Sequence, residues 1–172
     1  MLDAIDDATA KLLDTVRRLT DDDVRRPSLL PGWTRGHVLT HIARGGEALR
    51  RVLHGEPAYP SQEARDAEIE AGSQRPVPEL LADIAASADA FRAAVAALPA
   101  DGWDETVTVA NYEPFPKSQL PVRRLHELEV HHVDLGLGYA PTAWSAYYLN
   151  LDLPEPLRTQ RAERLVGEGR AG

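Results

Sequence analysis

The chain has no cysteine, which excludes disulfides, thiolate metal sites, iron–sulfur clusters and a cysteine nucleophile. Any thiol chemistry has to use a thiol supplied from elsewhere. Long apolar runs are missing too. None approaches the roughly 20 residues of a membrane-spanning helix, and the opening MLDAIDDATAKLL is acidic where a secretory leader is basic. A cytoplasmic protein with no membrane partner is the expectation. Positive charge is also scarce. Against 27 Asp and Glu stand 19 Lys and Arg, a formal net charge of −8 at pH 7. Such a field repels a phosphate backbone, so no nucleic-acid partner is expected. No internal repeat is evident. What the chain does have is an ordinary globular make-up, 43% hydrophobic and 27% charged among 172 residues, which suits one domain with its own core.

Helical periodicity dominates the pattern. Ile5, Ala8, Leu12, Val16 and Leu19 recur at steps of three and four and predict a helix from Asp3 to about Thr20. After a polar stretch with Pro27, Pro31 and Gly32, Thr34 fits the N-cap of a second helix through Val38, Ile42, Leu49 and Leu53. The segment from His54 to Val77 reads mainly as a long connection, with a helical turn around Glu63 to Ile69. Pro78 and Glu79 open a third helix, carried by Leu81, Ile84, Ala88, Phe91, Val95 and Leu98 and ended by Pro99. Alternation over Glu105 to Val109 suggests a short strand or an extended loop. A fourth helix begins near Ser118, tolerates Pro121 in its first turn and stops at Gly136 to Gly138, with Leu125, Leu128 and Leu135 on its core face. Pro141 to Leu149 fits one more short helix. The last twenty residues alternate Pro, Arg, Glu and Gly and read as a frayed tail, flexible or truncated. The expected fold is all-α: a four-helix bundle with elaborated loops over residues 1–149, followed by a tail over 150–172.

Five of the six histidines fall in two of these helices, within GWTRGHVLTHIA and RRLHELEVHHVDL. His37 and His41 are four apart on the second helix, and Glu127 and His131 are four apart on the fourth, so each pair shares a helix face. Bundles build metal sites by projecting His and carboxylate side chains inward from facing helices. One helix-two histidine with Glu127 and His131 gives two nitrogens, one oxygen and an open position, the pattern of catalytic zinc. Nickel and iron suit the same ligand types. Spacing does not choose between His37 and His41. The plainer alternative is that these are ordinary amphipathic or capping residues, with Glu127 paired to Arg123 or Arg124. His37 and His132 are positional candidates for a catalytic proton donor, and Arg35 and Arg124 for bidentate carboxylate binding. His132, on the leucine face, and His126 also read as hydrogen-bonded helix histidines. Trp33 reads as a packing anchor, and Asp134 as a carboxylate able to orient a ligand histidine.

Two segments, LPGWTRGHVLTHIAR at Leu30 to Arg44 and RRLHELEVHHVDLGLGY at Arg123 to Tyr139, resemble the paired signatures of the mycothiol-dependent maleylpyruvate isomerase family, a branch of the DinB-like four-helix bundles. The resemblance covers roughly residues 1 to 149 and implies His41, Glu127 and His131 as the metal ligands, leaving His37 outside. It implies zinc as the metal, mycothiol as a low-molecular-weight thiol co-substrate and a small electrophile as substrate. The implied chemistry is cis–trans isomerisation of a maleylpyruvate-like compound, or S-transfer when the thiol stays on the product. The alternative of another class is a non-enzymatic metal or small-molecule binding module of the same fold. A homodimer through the aromatic segment Trp144 to Leu149 is compatible with either.

Overall fold

The structure, a computed structural model, describes residues 1–109 and 113–167. Helix α1 (Leu2–Val16) buries Ile5, Ala8, Leu12 and Val16, the periodic positions of its sequence. It stops short of Thr20 because that residue starts a separate turn, α2 (Asp21–Arg25). The Thr20 hydroxyl accepts from the Asp23 backbone, and the Asp23 carboxylate accepts from the Thr20 backbone at 3.0 Å. This reciprocal cap supplies partners for two backbone donors. Thr34 caps α3 (Arg35–Leu53) in the same way, with His37 in the role of the third residue. The long connection contains more helix than its sequence suggests, since Ser61 caps α4 (Gln62–Gly72). Next comes α5 (Val77–Ala97), with Pro78 in its first turn. The expected strand shrinks to β1 (Thr106–Val107), paired antiparallel with β2 (Phe115–Pro116). Helix α6 (Leu120–Asp134) follows a short 3-10 turn and accommodates Pro121 at its start. Beyond it are α7 (Ala146–Leu149) and α8 (Leu157–Gly167).

Four long helices close a ring: α3 packs on α5 and α6, and α1 packs on the same two. Leu12, Leu39, Ile42, Leu80, Ile84, Phe91, Leu125 and Leu128 fill the space between them, all essentially fully buried. The bundle expected from the sequence is therefore the observed architecture. Helix α4 lies against α3 at very short range. A Cβ on Gly36 would sit 1.9 Å from the Ser73 carbonyl oxygen, and one on Gly72 would sit 2.4 Å from the Thr40 methyl. Only glycine permits that approach. Among the described residues, no helix is long and apolar enough to cross a membrane.

The C-terminal stretch corrects one expectation. Residues 157–167 do not fray. They form α8, which docks on α6 through polar anchors: Gln160 Oε1 accepts from His126 at 2.9 Å, and Arg164 bonds the Asp134 carboxylate. Residues 168–172 of the expected tail lie outside the described residues. The aromatic segment expected to face a partner is half consumed by the fold itself. Trp144 and Tyr148 are buried, with the indole donating to the Glu129 carbonyl at 3.2 Å, while Tyr147 and Leu149 remain exposed.

Candidate metal centre

His41 sits two turns into α3, while Glu127 and His131 occupy successive turns of α6, so the packing of α3 on α6 brings the three together. His41 Nε2 lies 2.9 Å from Glu127 Oε2 and 3.1 Å from His131 Nε2, and the remaining edge, His131 Nε2 to Glu127 Oε2, is 3.3 Å. Among the described residues, this trio is the one group of three or more His, Asp or Glu placed to hold an ion. The side chains are 13% to 23% exposed, and His41 and Glu127 line a cavity of about 790 Å³ together with Tyr59, Arg65, Phe115, Arg123 and Leu157. That volume lies within the range of small-molecule sites.

The donor set fits a divalent cation. Tetrahedral zinc, with bonds of about 2.0–2.2 Å, holds its ligand atoms about 3.4 Å apart, close to the observed triangle. Once the protons on the two Nε2 atoms are released, the three atoms present lone pairs to one point, where a single cation meets all three at once. The opposite ring nitrogen of His131, Nδ1, donates to Asp134 Oδ2 at 2.9 Å, which leaves Nε2 free to coordinate. At His41 the corresponding nitrogen meets Arg65 Nη2 at 3.3 Å. A guanidinium only donates, so this contact places the His41 proton on Nε2, facing Glu127. Coordination through Nε2 requires Arg65 to release that ring.

The charges follow from this geometry. Burial opposes ionisation of Glu127, yet the two imidazoles bonded to it hold its carboxyl well below the usual carboxylate range. Burial lowers the His41 pKa, outweighing the pull of Glu127. For His131 burial acts downward as well, but the hydrogen bonds and charges of Asp134 and Glu127 prevail and push the pKa up to about 9. The cavity also holds neutral and cationic donors. Burial pushes the Tyr59 hydroxyl up to about 12, and the Arg123 guanidinium lies 3.7 Å over the Phe115 ring.

The other candidates are placed elsewhere. His37 is absorbed in the α3 cap, its Nδ1 accepting from the Thr34 backbone at 3.2 Å and its Nε2 donating to Glu70 at 3.0 Å. His132 points to the opposite side of α6. There it stacks on Tyr139 with ring centroids 3.7 Å apart and donates to Thr15 Oγ1 at 2.8 Å, while the Thr15 hydroxyl donates to the Lys11 carbonyl. Arg35 ties the end of α6 to α2, donating to the Leu135 and Asp23 carbonyls at 3.0 and 3.3 Å. Arg124 is fully buried between α3 and α6 and donates to the Ile42 carbonyl at 2.8 Å. A Cβ on Gly46 would meet its guanidinium at 3.1 Å. Trp33 packs its ring 5.6 Å from that of His41, edge-on. Tyr59 and Arg65 are not singled out by the sequence, because Tyr59 precedes α4 and Arg65 lies within it, in a stretch read mainly as a connection with one helical turn. Ser61 was the available signal, a cap three residues before the Ala64 N–H it bonds.

Comparison with known proteins places these features in context. Residues 5–136 match a family model described as the mycothiol maleylpyruvate isomerase N-terminal domain. Among solved structures, the crystal structure of the mycothiol-dependent maleylpyruvate isomerase is similar, with 27% identity and a TM-score of 0.81. A His-to-Ala mutant of the mycothiol-dependent maleylpyruvate isomerase is similar at 28% identity and a TM-score of 0.80. Each similarity covers 86% of this chain and 64% of the other, so this chain spans somewhat under two thirds of the length of those structures. No curated protein matches the chain.

Proposed function

We propose a function from one premise, that this chain belongs to the mycothiol maleylpyruvate isomerase N-terminal domain family. The chain is a metal-dependent catalyst that activates a low-molecular-weight thiol of the mycothiol kind against a small electrophile. His41, Glu127 and His131 hold the metal, with zinc the first expectation. A bound zinc would lower the pKa of a thiol placed beside it and so supply the nucleophile that a cysteine-free chain lacks. The observation that carries this reading is the convergence of two imidazole nitrogens and a carboxylate oxygen within 3.3 Å at the wall of a large cavity.

The chain's own residues divide the remaining work. Asp134 holds the proton on His131 Nδ1, and Leu49, Phe115 and Leu157 give the cavity an apolar part of its wall. Tyr59 stays neutral and offers a hydroxyl proton, while Arg65 and Arg123 supply cationic donors suited to a carboxylate-bearing electrophile. In the isomerisation, the thiolate sulfur bonds to one carbon of an activated cis double bond and the π pair moves onto the activating carbonyl. Rotation about the resulting single bond precedes loss of the sulfur, which restores the double bond in the trans form. In S-transfer the carbon–sulfur bond is kept.

Elemental analysis of the purified chain tests the ligand set. About one metal per chain is expected in the wild type, with severe loss in His41→Ala, Glu127→Ala and His131→Ala. A thiolate charge-transfer band on adding thiol to the cobalt-substituted protein is the second expected result. Metal without that band would leave a binding module in place of a thiol-activating enzyme, and a metal-free wild type would remove the reading altogether.

A further inference from the structure

Helix α8 lies beyond the residues that the family match covers, 5–136, yet it is wired to the candidate centre. Its docking face is Leu157, Gln160, Arg161 and Arg164, spaced as one side of a helix. Leu157, with Pro154 and Pro156 just before it, forms part of the cavity wall. Arg161 donates to the Tyr148 and Leu151 carbonyls at 2.7 and 3.1 Å. Arg164 grips Asp134 with two prongs, Nε to Oδ1 at 3.3 Å and Nη2 to Oδ2 at 3.1 Å. Asp134 is almost wholly buried, and the same Oδ2 accepts from His131 Nδ1.

We propose that α8 is a working part of the site, with Arg164 as a positioning residue that fixes Asp134 and through it the ring of His131. The inference rests on the metal reading above. A buried carboxylate holding one imidazole by a single bond can pivot about its own Cβ–Cγ axis. A guanidinium fork bonded to both oxygens sets the carboxylate plane, because two parallel bonds define an orientation that one cannot. With the plane set, the Oδ2 lone pair faces His131 Nδ1, and the ring turns its Nε2 toward His41 and Glu127. Arg164 also compensates the Asp134 charge, which would otherwise be buried beside a ring that must become neutral to coordinate. Partners at this remove from a metal typically change its affinity by about 10- to 100-fold.

The test uses the full chain and four variants. Zinc affinity is read by competition with a chromophoric chelator, and the His131 Nδ1–H signal is read by nitrogen-resolved NMR in the metal-free protein. Arg164→Met is expected to weaken zinc binding about tenfold and to lose the Nδ1–H signal to solvent exchange, while Arg164→Lys recovers part of both. Gln160→Ala and Arg161→Met each remove one other anchor of α8 and leave the Arg164 fork on Asp134, so with α8 docked, as read by amide exchange, they are expected to keep the wild-type signal and affinity. Wild-type affinity and signal in Arg164→Met would overturn the inference whether or not α8 stays docked. Equal losses in Arg161→Met with α8 still docked by amide exchange would overturn the relay through Asp134. If the wild type binds no zinc, the metal reading fails on its own, and the Nδ1–H signal in the metal-free variants still decides the positioning role.

Discussion

Arg65 and His41 show how one contact can set a tautomer. The guanidinium donates to His41 Nδ1, while coordination through Nε2 needs a proton on that same Nδ1. Arg65 therefore competes with a metal twice over, by holding the opposite tautomer and by adding a positive charge nearby. Replacing it with methionine is expected to strengthen zinc binding by on the order of 1 kcal/mol, severalfold in the dissociation constant measured by chelator competition. A weaker affinity would mean that Arg65 supports the site instead. At this scale much of the site was legible in sequence. His41, Glu127 and His131 stand at spacings that put them on facing helices, and those are the residues brought together. The choice of His41 over His37 was not legible from spacing, since both share one helix face. In the structure the Thr34 backbone N–H bonds His37 Nδ1 and ties that ring into the cap, while His41 meets Glu127 and His131. Ser61 marks the start of the helix that carries Arg65, but the contact of Arg65 with His41 depends on how closely α4 approaches α3.

That approach belongs to the elements. Helices α3 and α4 meet through glycine backbones rather than large apolar side chains, with Gly36 against the Ser73 carbonyl and Gly72 against Thr40. Gly36→Ala is expected to cost about 1–3 kcal/mol in urea unfolding, the usual penalty of overpacking, and to push α4 outward. Gly45→Ala, in the same helix with nothing within 4 Å of the added carbon, is expected to be neutral or to stabilise by up to about 1 kcal/mol through helix propensity. The same physics explains which helices could be read from sequence. Helices α1, α3, α5 and α6 bury Leu, Ile, Val or Phe at regular intervals, and each was visible as a period. Helix α4 buries only Ile69 and Gly72, and α8 docks through Gln160, Arg161 and Arg164. Neither carries the apolar stripe that periodicity detects.

Across the whole molecule, α6 carries polar chemistry on two sides, and they respond to acid separately. Away from the cavity, His132 is buried and, with Lys11 and Arg18 adding to the effect, its pKa is pushed down to about 4. In the unfolded chain the same ring titrates near 6.5. Between those values the unfolded state binds a proton that the folded state refuses, so stability falls as pH drops through the window and the loss is complete below about 4. The full difference is about 3 kcal/mol. Urea unfolding from pH 7 to pH 4 is expected to show a shallower loss in His132→Gln, a side chain that does not titrate. A slope identical to wild type would place the acid sensitivity elsewhere. The cavity has a different consequence for the molecule. Its boundary is shared by α3, α4, α6 and the turn leading into α8, segments drawn from both ends of the sequence. A solute that fills it therefore works as a non-covalent clasp, and loading and folding become two views of one equilibrium. By mass action, the resistance of the whole chain to unfolding rises with the logarithm of the free solute concentration once the dissociation constant is exceeded.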